Sequence, residues 1–114
     1  DIFPTLLTLT GAAPPTEREI DGVDLAQLLF DGNKLPQRKT YWSYERRKDR
    51  PEKVVREGAW KLYIMGEERQ LFNLNQDLAE KRNLAADYPE QVRAMEQAFQ
   101  VWYAAVTAGV TRIC

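Results

Sequence analysis

Apolar residues recur with two different periods along this chain, and the changes of period divide it into three stretches. Over residues 2–10 the spacing is helical: Ile2, Leu6 and Leu9 share one face, with Phe3 and Leu7 beside it. Asp1 suits the N-cap, Pro4 is tolerated in a first turn, and Gly11 provides the stop. A rigid Ala13-Pro14-Pro15 connector follows, and Ile20-Asp21-Gly22-Val23 reads as a turn. Asp24 then caps a short predicted helix that carries Leu25, Leu28 and Leu29 inward as far as Asp31-Gly32.

The middle stretch switches to a period of two. Thr40, Trp42 and Tyr44 alternate with Tyr41, Ser43 and Glu45, as in a half-buried strand. After a charged loop, Val54-Val55-Arg56 opens a second strand and Glu57-Gly58 a tight turn. Trp60, Leu62 and Ile64 line one face of a third strand. Gly66-Glu67 turns into a fourth, Leu71-Phe72-Asn73-Leu74. Helical spacing returns behind Pro89, with Glu90 favourable to the helix dipole. Val92, Met95, Phe99, Trp102 and Val106 form a single stripe, and Gly109 ends it. The predicted fold class is α+β: two short helices, a four-stranded antiparallel sheet, and a long C-terminal helix packed on the sheet.

Length and charge narrow the functional classes. The 114 residues suffice for one compact domain. A net charge of -1 argues against a dedicated nucleic-acid binder, and no apolar run approaches the roughly 20 residues of a membrane span. No leader-peptide pattern is present, and the chain opens at Asp1 directly into a helical pattern, which reads as a start inside a longer polypeptide. Histidine is absent, which removes Ser-His-Asp and Cys-His arrangements and the commonest zinc sites. Cys114 is alone and terminal, so it forms no intrachain disulfide.

The remaining candidates each carry two readings. Residues 45–53 hold five basic and three acidic side chains. Arg46 and Arg47 could bind a sulfate or phosphate group through the planar guanidinium fork, or simply solvate a loop. Trp42 with Tyr44, or Trp60 with Leu62, could stack on a sugar or aryl ring, or fill a core. Asp77, Glu80 and Asp87 lack the tight alternation of a calcium loop and read better as turn and capping groups.

The order of several landmarks adds a further expectation. They are Asp1-Ile2-Phe3-Pro4-Thr5-Leu6-Leu7, Ile20-Asp21-Gly22-Val23-Asp24-Leu25 and Tyr41-Trp42, followed by Val55-Arg56-Glu57-Gly58-Ala59-Trp60-Lys61-Leu62. Gln70-Leu71-Phe72-Asn73-Leu74-Asn75-Gln76-Asp77, Glu80 and Asn83-Leu84-Ala85 complete the series. Taken together they resemble the carboxy-terminal end of the type I sulfatases, within the alkaline phosphatase superfamily. The series departs from the family's habit at Asn73, where an Asp is usual, at Leu78, where a Pro is usual, and at Ser43-Tyr44-Glu45 after Trp42.

The resemblance implies that residues 1–38 close a catalytic domain and lead out of it, and that residues 39–114 form the C-terminal subdomain. It implies a parent enzyme that hydrolyses sulfate esters with a formylglycine residue and a calcium ion, both held upstream. No catalytic residue or metal ligand is thereby assigned to this chain. Trp42, Tyr44, Arg46 and Arg47 are the expected substrate contacts, on one rim of a cleft that takes a sulfated carbohydrate or aryl ester. The missing catalytic domain is the expected partner, and a periplasmic, secreted or lysosomal setting follows from the resemblance alone. Two alternatives stay open: a non-catalytic module that self-associates through the residue 2–9 helix, or the end of a related phosphodiesterase or phosphonate hydrolase.

Overall fold

A computed structural model describes residues 1–17, 19–45 and 51–108. The chain separates into two compact units, Asp1–Pro36 and Gln37–Cys114.

In the first unit α1 spans Ile2–Thr10 and α2 spans Ala26–Asp31. Asp1 stands at the N-cap of α1, but its carboxylate does not cap that helix. It accepts instead from the Val23 backbone N–H at 3.0 Å. Thr5 Oγ1 donates to the Asp1 carbonyl at 2.7 Å and accepts from the Leu25 N–H at 2.9 Å, while Thr8 Oγ1 donates to Asp24 at 2.8 Å. Side-chain oxygens thus satisfy the backbone of the 22–26 turn. Gly22 belongs to the same contact, because a Cβ there would meet the Asp1 nitrogen at 2.5 Å. The cap of α2 falls one residue later than the sequence suggests: Leu25 is the N-cap, and Asp24 Oδ1 accepts from the Ala26 N–H at 2.8 Å. Leu28, Leu29 and Phe30 are not carried inward but are 39%, 63% and 71% exposed. A unit this small cannot enclose a core, and Thr5 is the one fully buried side chain among its described residues.

The second unit is a meander. Strands β1 (Lys39–Tyr44), β2 (Glu52–Glu57), β3 (Trp60–Met65) and β4 (Glu68–Asn73) pair antiparallel in the order β1-β2-β3-β4. Two-residue turns join β2 to β3 and β3 to β4, each with a glycine first at positive φ, Gly58 at 56° and Gly66 at 58°. Pairing Tyr41↔Val55↔Leu62↔Leu71 sets the inner face of the sheet. The core gathers there: Val55, Leu62, Ile64 and Leu71 pack with Leu84, Met95 and Phe99.

Helix α3 (Pro89–Thr107) supplies the lid of that core, with proline in its first turn where the missing N–H costs nothing. Met95 and Phe99 are fully buried, and Val92, Trp102 and Tyr103 pack against the cluster. Val106, the predicted end of the stripe, is 41% exposed; Tyr103 takes its place, stacked on Phe99 at 5.7 Å. Truncating a ring such as Phe99 in this setting costs about 3–5 kcal/mol. Arg69 on β4 reaches Glu96 on α3 through two bonds of 2.7 and 3.3 Å, and that pairing raises the guanidinium above its ordinary value. At the outer edge of β4, Asn83 Oδ1 accepts from the Leu71 and Ala85 N–H groups at 3.0 and 2.9 Å. Its Nδ2 donates to the Arg69 carbonyl at 3.2 Å.

Candidate functional site

Because neighbours alternate sides along a strand, the residues not aimed at α3 define a second, outer face. The register arranges them in three rows across the strands: Thr40–Arg56–Lys61–Phe72, then Trp42–Val54–Tyr63–Gln70, then Tyr44–Glu52–Met65–Glu68. Trp42 and Tyr44 are therefore on the same outer face, 52% and 54% exposed. Trp60 and Leu62 are on the inner face. Leu62 is in the core, and Trp60 lies against Tyr88 at 5.2 Å, so that pair is packing rather than a ligand platform. Arg46 and Arg47 lie outside the described residues.

A shallow pocket of about 360 Å³ opens on the outer face, lined by Trp42, Val54, Arg56, Lys61, Leu74 and Glu80. Its size falls within the range of small-molecule sites. Lys61 Nζ donates to Glu80 Oε1 at 2.6 Å. Glu80 holds that position with a backbone φ of 52°, a left-handed conformation that few non-glycine residues adopt. Arg56 sits directly opposite Lys61, so that among the described lining residues two cations stand side by side against the Glu80 carboxylate. The pocket thus offers an indole face, an aliphatic floor and a net positive rim. Sequence alone does not distinguish Arg56 and Lys61 from other surface charges, although the two-residue Gly58-Ala59 turn already fixes them as a cross-strand pair. A second, more open groove of about 500 Å³ runs beside α3, lined by Tyr41, Ala94, Gln97, Ala98, Val101 and Trp102. Among the described residues that line it, none is charged.

The acidic trio of the sequence does structural work. Asp77 accepts from the Arg82 N–H at 2.8 Å, and the backbone N–H groups of Arg82 and Lys81 hold its carboxyl below the usual aspartate range. Glu80 is engaged by Lys61, and Asp87 approaches Arg82 at 3.7 Å. Among the described residues no three His, Cys, Asp or Glu side chains converge to hold a metal ion. The donor set for the calcium that the resemblance implies is therefore not met by these residues. The 114 residues also contain no C/S-x-P-S-R motif, their single serine being Ser43.

The α+β fold is shared with proteins of the sulfatase and alkaline phosphatase superfamily, over part of their length. Ps i-CgsB, solved in complex with k-i-k-neocarrahexaose, superposes with a TM-score of 0.78 over 89% of this chain at 21% identity. BT1596, a 2-O GAG sulfatase, superposes with a TM-score of 0.65 over 96% of the chain at 27% identity. Arylsulfatase G of Rattus norvegicus is 53% identical over 30 residues. No protein-family model matches the chain. The chain spans 23% and 25% of those two solved structures and 6% of arylsulfatase G. What it shares with them is a sheet-and-helix part of a larger molecule. Among the described residues no helix is long and apolar enough to cross a membrane.

Proposed function

We propose that this chain is the C-terminal portion of a sulfatase-like sulfuric ester hydrolase, with residues 39–114 as the subdomain and residues 1–38 as the end of the catalytic domain. The observation that carries this reading is the likeness to BT1596, which extends over 96% of the chain and combines 27% identity with a TM-score of 0.65. The part played by the chain is support of the fold and one rim of the substrate cleft. Trp42 and Tyr44 supply ring faces for a sugar, and Arg46 and Arg47 take an anionic group beside it. A sulfated carbohydrate is the favoured substrate of the parent, in keeping with the carrageenan hexasaccharide bound to Ps i-CgsB and the GAG named for BT1596. The nucleophile, its formylglycine modification and the calcium ion belong to the parent's upstream residues.

The reading is tested on the complete reading frame. It is expected to encode a C/S-x-P-S-R motif several hundred residues upstream, and its product is expected to release sulfate from sulfated oligosaccharides. This chain alone is expected to leave a chromogenic aryl sulfate intact. A frame that begins near Asp1, or metal-dependent turnover by the 114 residues themselves, refutes the proposal. A frame with a different nucleophile motif, whose product cleaves phosphodiesters or phosphonates, would move the parent to another branch of the superfamily.

A further inference from the structure

The outer-face pocket holds a cation that the fold itself does not use. Lys61 is committed to Glu80 at 2.6 Å, and those two charges offset each other. Arg56 on β2 is exposed and, among the described residues, enters no hydrogen bond or ion pair. Trp42 is half exposed and, among the same residues, stacks on no other ring. The guanidinium does not cover the indole either: the cation–ring contact of this unit is Lys53 over Phe99 at 5.4 Å, on the inner side of the sheet. Trp42 pairs with Val54, and Arg56 follows Val54 by two positions on the same face. Indole and guanidinium therefore start from diagonal neighbours, about 7–8 Å apart, a span that one bound sugar bridges.

We propose that this pocket binds a single sugar residue bearing one anionic group, a sulfate or a carboxylate. The apolar face of the sugar lies on Trp42 above the Val54 and Leu74 side chains, and its anion takes the fork of Arg56. A sugar hydroxyl donates to the Glu80 oxygen that Lys61 does not hold. This deepens the cleft-rim reading and rests on it for the choice of a saccharide.

The lining decides the class of ligand. A planar guanidinium with unused donors matches the paired oxygens of sulfate or carboxylate. With Lys61 offset by Glu80, the described lining residues carry one uncompensated positive charge, which suits a ligand with one anionic group. A bare inorganic anion would leave the indole and the aliphatic floor unused. The cavity of about 360 Å³ is near the lower end of small-molecule sites, enough for one sugar and its substituent. Along β1, Tyr44 lies on the other side of Trp42 from the Thr40–Arg56 row. Tyr44 is thereby placed for the next residue of a longer saccharide, which favours an oligosaccharide over an aryl ester. An open pocket with an exposed cation binds weakly, with a dissociation constant on the order of 1 mM.

Titration of the 114-residue chain, followed by calorimetry and by the Trp42 indole N–H resonance, tests the proposal. The probes are disaccharides of one length bearing a sulfate, a uronate carboxylate or neither, together with inorganic sulfate. A charged disaccharide is expected to bind at least ~10-fold more tightly than the neutral one or inorganic sulfate, and the better of the two identifies the anion. Arg56→Gln is expected to abolish the preference for charge, and Arg56→Lys, which keeps the charge without the fork, to retain part of it. Glu80→Gln releases Lys61 while keeping an acceptor oxygen, so it is expected to tighten binding of the charged probe by about threefold, a gain that misfolding cannot imitate. Equal binding of charged and neutral probes overturns the proposal, as does inorganic sulfate binding as tightly as a disaccharide. So do a Glu80→Gln variant that shows no gain and a Trp42 resonance that does not move up to about 20 mM probe. Binding that survives Arg56→Gln but is lost in Tyr44→Ala overturns the pocket and leaves the cleft-rim reading standing. The sulfatase-like parent is decided separately, by the upstream motif and by sulfate release.

Discussion

Asn83 offers a quantitative test of how the sheet is joined to its helix. Its side chain makes three hydrogen bonds, accepting from the Leu71 and Ala85 N–H groups and donating to the Arg69 carbonyl. Each neutral bond of this kind contributes about 1 kcal/mol net. The bonds to Ala85 and Arg69 are exposed, and water can replace Asn83 there. The Leu71 N–H sits on a residue with no exposure, and losing its acceptor leaves a donor near the core without a partner. Asn83→Ala is therefore expected to destabilise the chain by about 2 kcal/mol. In a unit of this size that lowers the melting temperature by roughly 10 °C. Asn83→Asp keeps the acceptor oxygen and loses only the donor, so about half of that loss is expected. Urea titration gives the free energies, and native-state hydrogen exchange at the Leu71 amide gives the local readout, with accelerated exchange in Ala but not in Asp. A loss below about 0.5 kcal/mol in Ala, or equal losses in Ala and Asp, would refute the reasoning.

Two further substitutions probe the loop between β4 and α3. Asp77 has a folded-state pKa below its unfolded value, so its contribution is present above the unfolded pKa and is lost as pH falls through the folded one. Asp77→Asn is expected to remove part of the acid-limb decline in stability, read from urea midpoints between pH 2 and 5; an unchanged acid limb would count against it. At Glu80, glycine relieves the left-handed backbone while forfeiting the Lys61 pair, two effects of about 1 kcal/mol that nearly cancel. Glu80→Gln keeps the strained backbone and loses the charge, so it is expected to be the less stable of the two; the reverse order would show the unfolded-state entropy of glycine outweighing the strain it relieves.

The sheet and the long helix were legible because their periods are clean. Trp60, Leu62 and Ile64 at alternate positions, and Val92, Met95, Phe99 and Trp102 at helical ones, state which side meets the core. The two short turns were legible from Gly58 and Gly66. Direction is not legible where no core exists to impose it. Leu28 and Leu29 have helical spacing, but a 36-residue unit gives them nothing to face. Asp1 has the sequence of a cap for its own helix, whereas a tertiary contact takes its carboxylate to the Val23 N–H; Asp24 stays local, accepting from the Ala26 N–H at the start of α2 from one residue ahead of the N-cap. The outer-face pocket was half visible. Trp42 announces itself by type, but Arg56, Lys61 and Glu80 look like ordinary surface charges until the register brings them together.

The meander has a kinetic consequence. Strands β2, β3 and β4 are joined by two-residue turns, so each can zip onto its neighbour after closing only a very short loop. Strand β1 also closes against the far end of the chain. Tyr41 stacks on Trp102 at 5.0 Å, and Tyr103 donates its hydroxyl proton to Glu45, 58 residues away in sequence. Those contacts require nearly the whole second unit to be in place before they reward closure. The central hairpins are thus the natural folding nucleus, and the clasp between β1 and the end of α3 is the last to form and the first to open. Substitutions at Tyr41 or Trp102 are expected to speed unfolding while leaving the folding rate nearly unchanged.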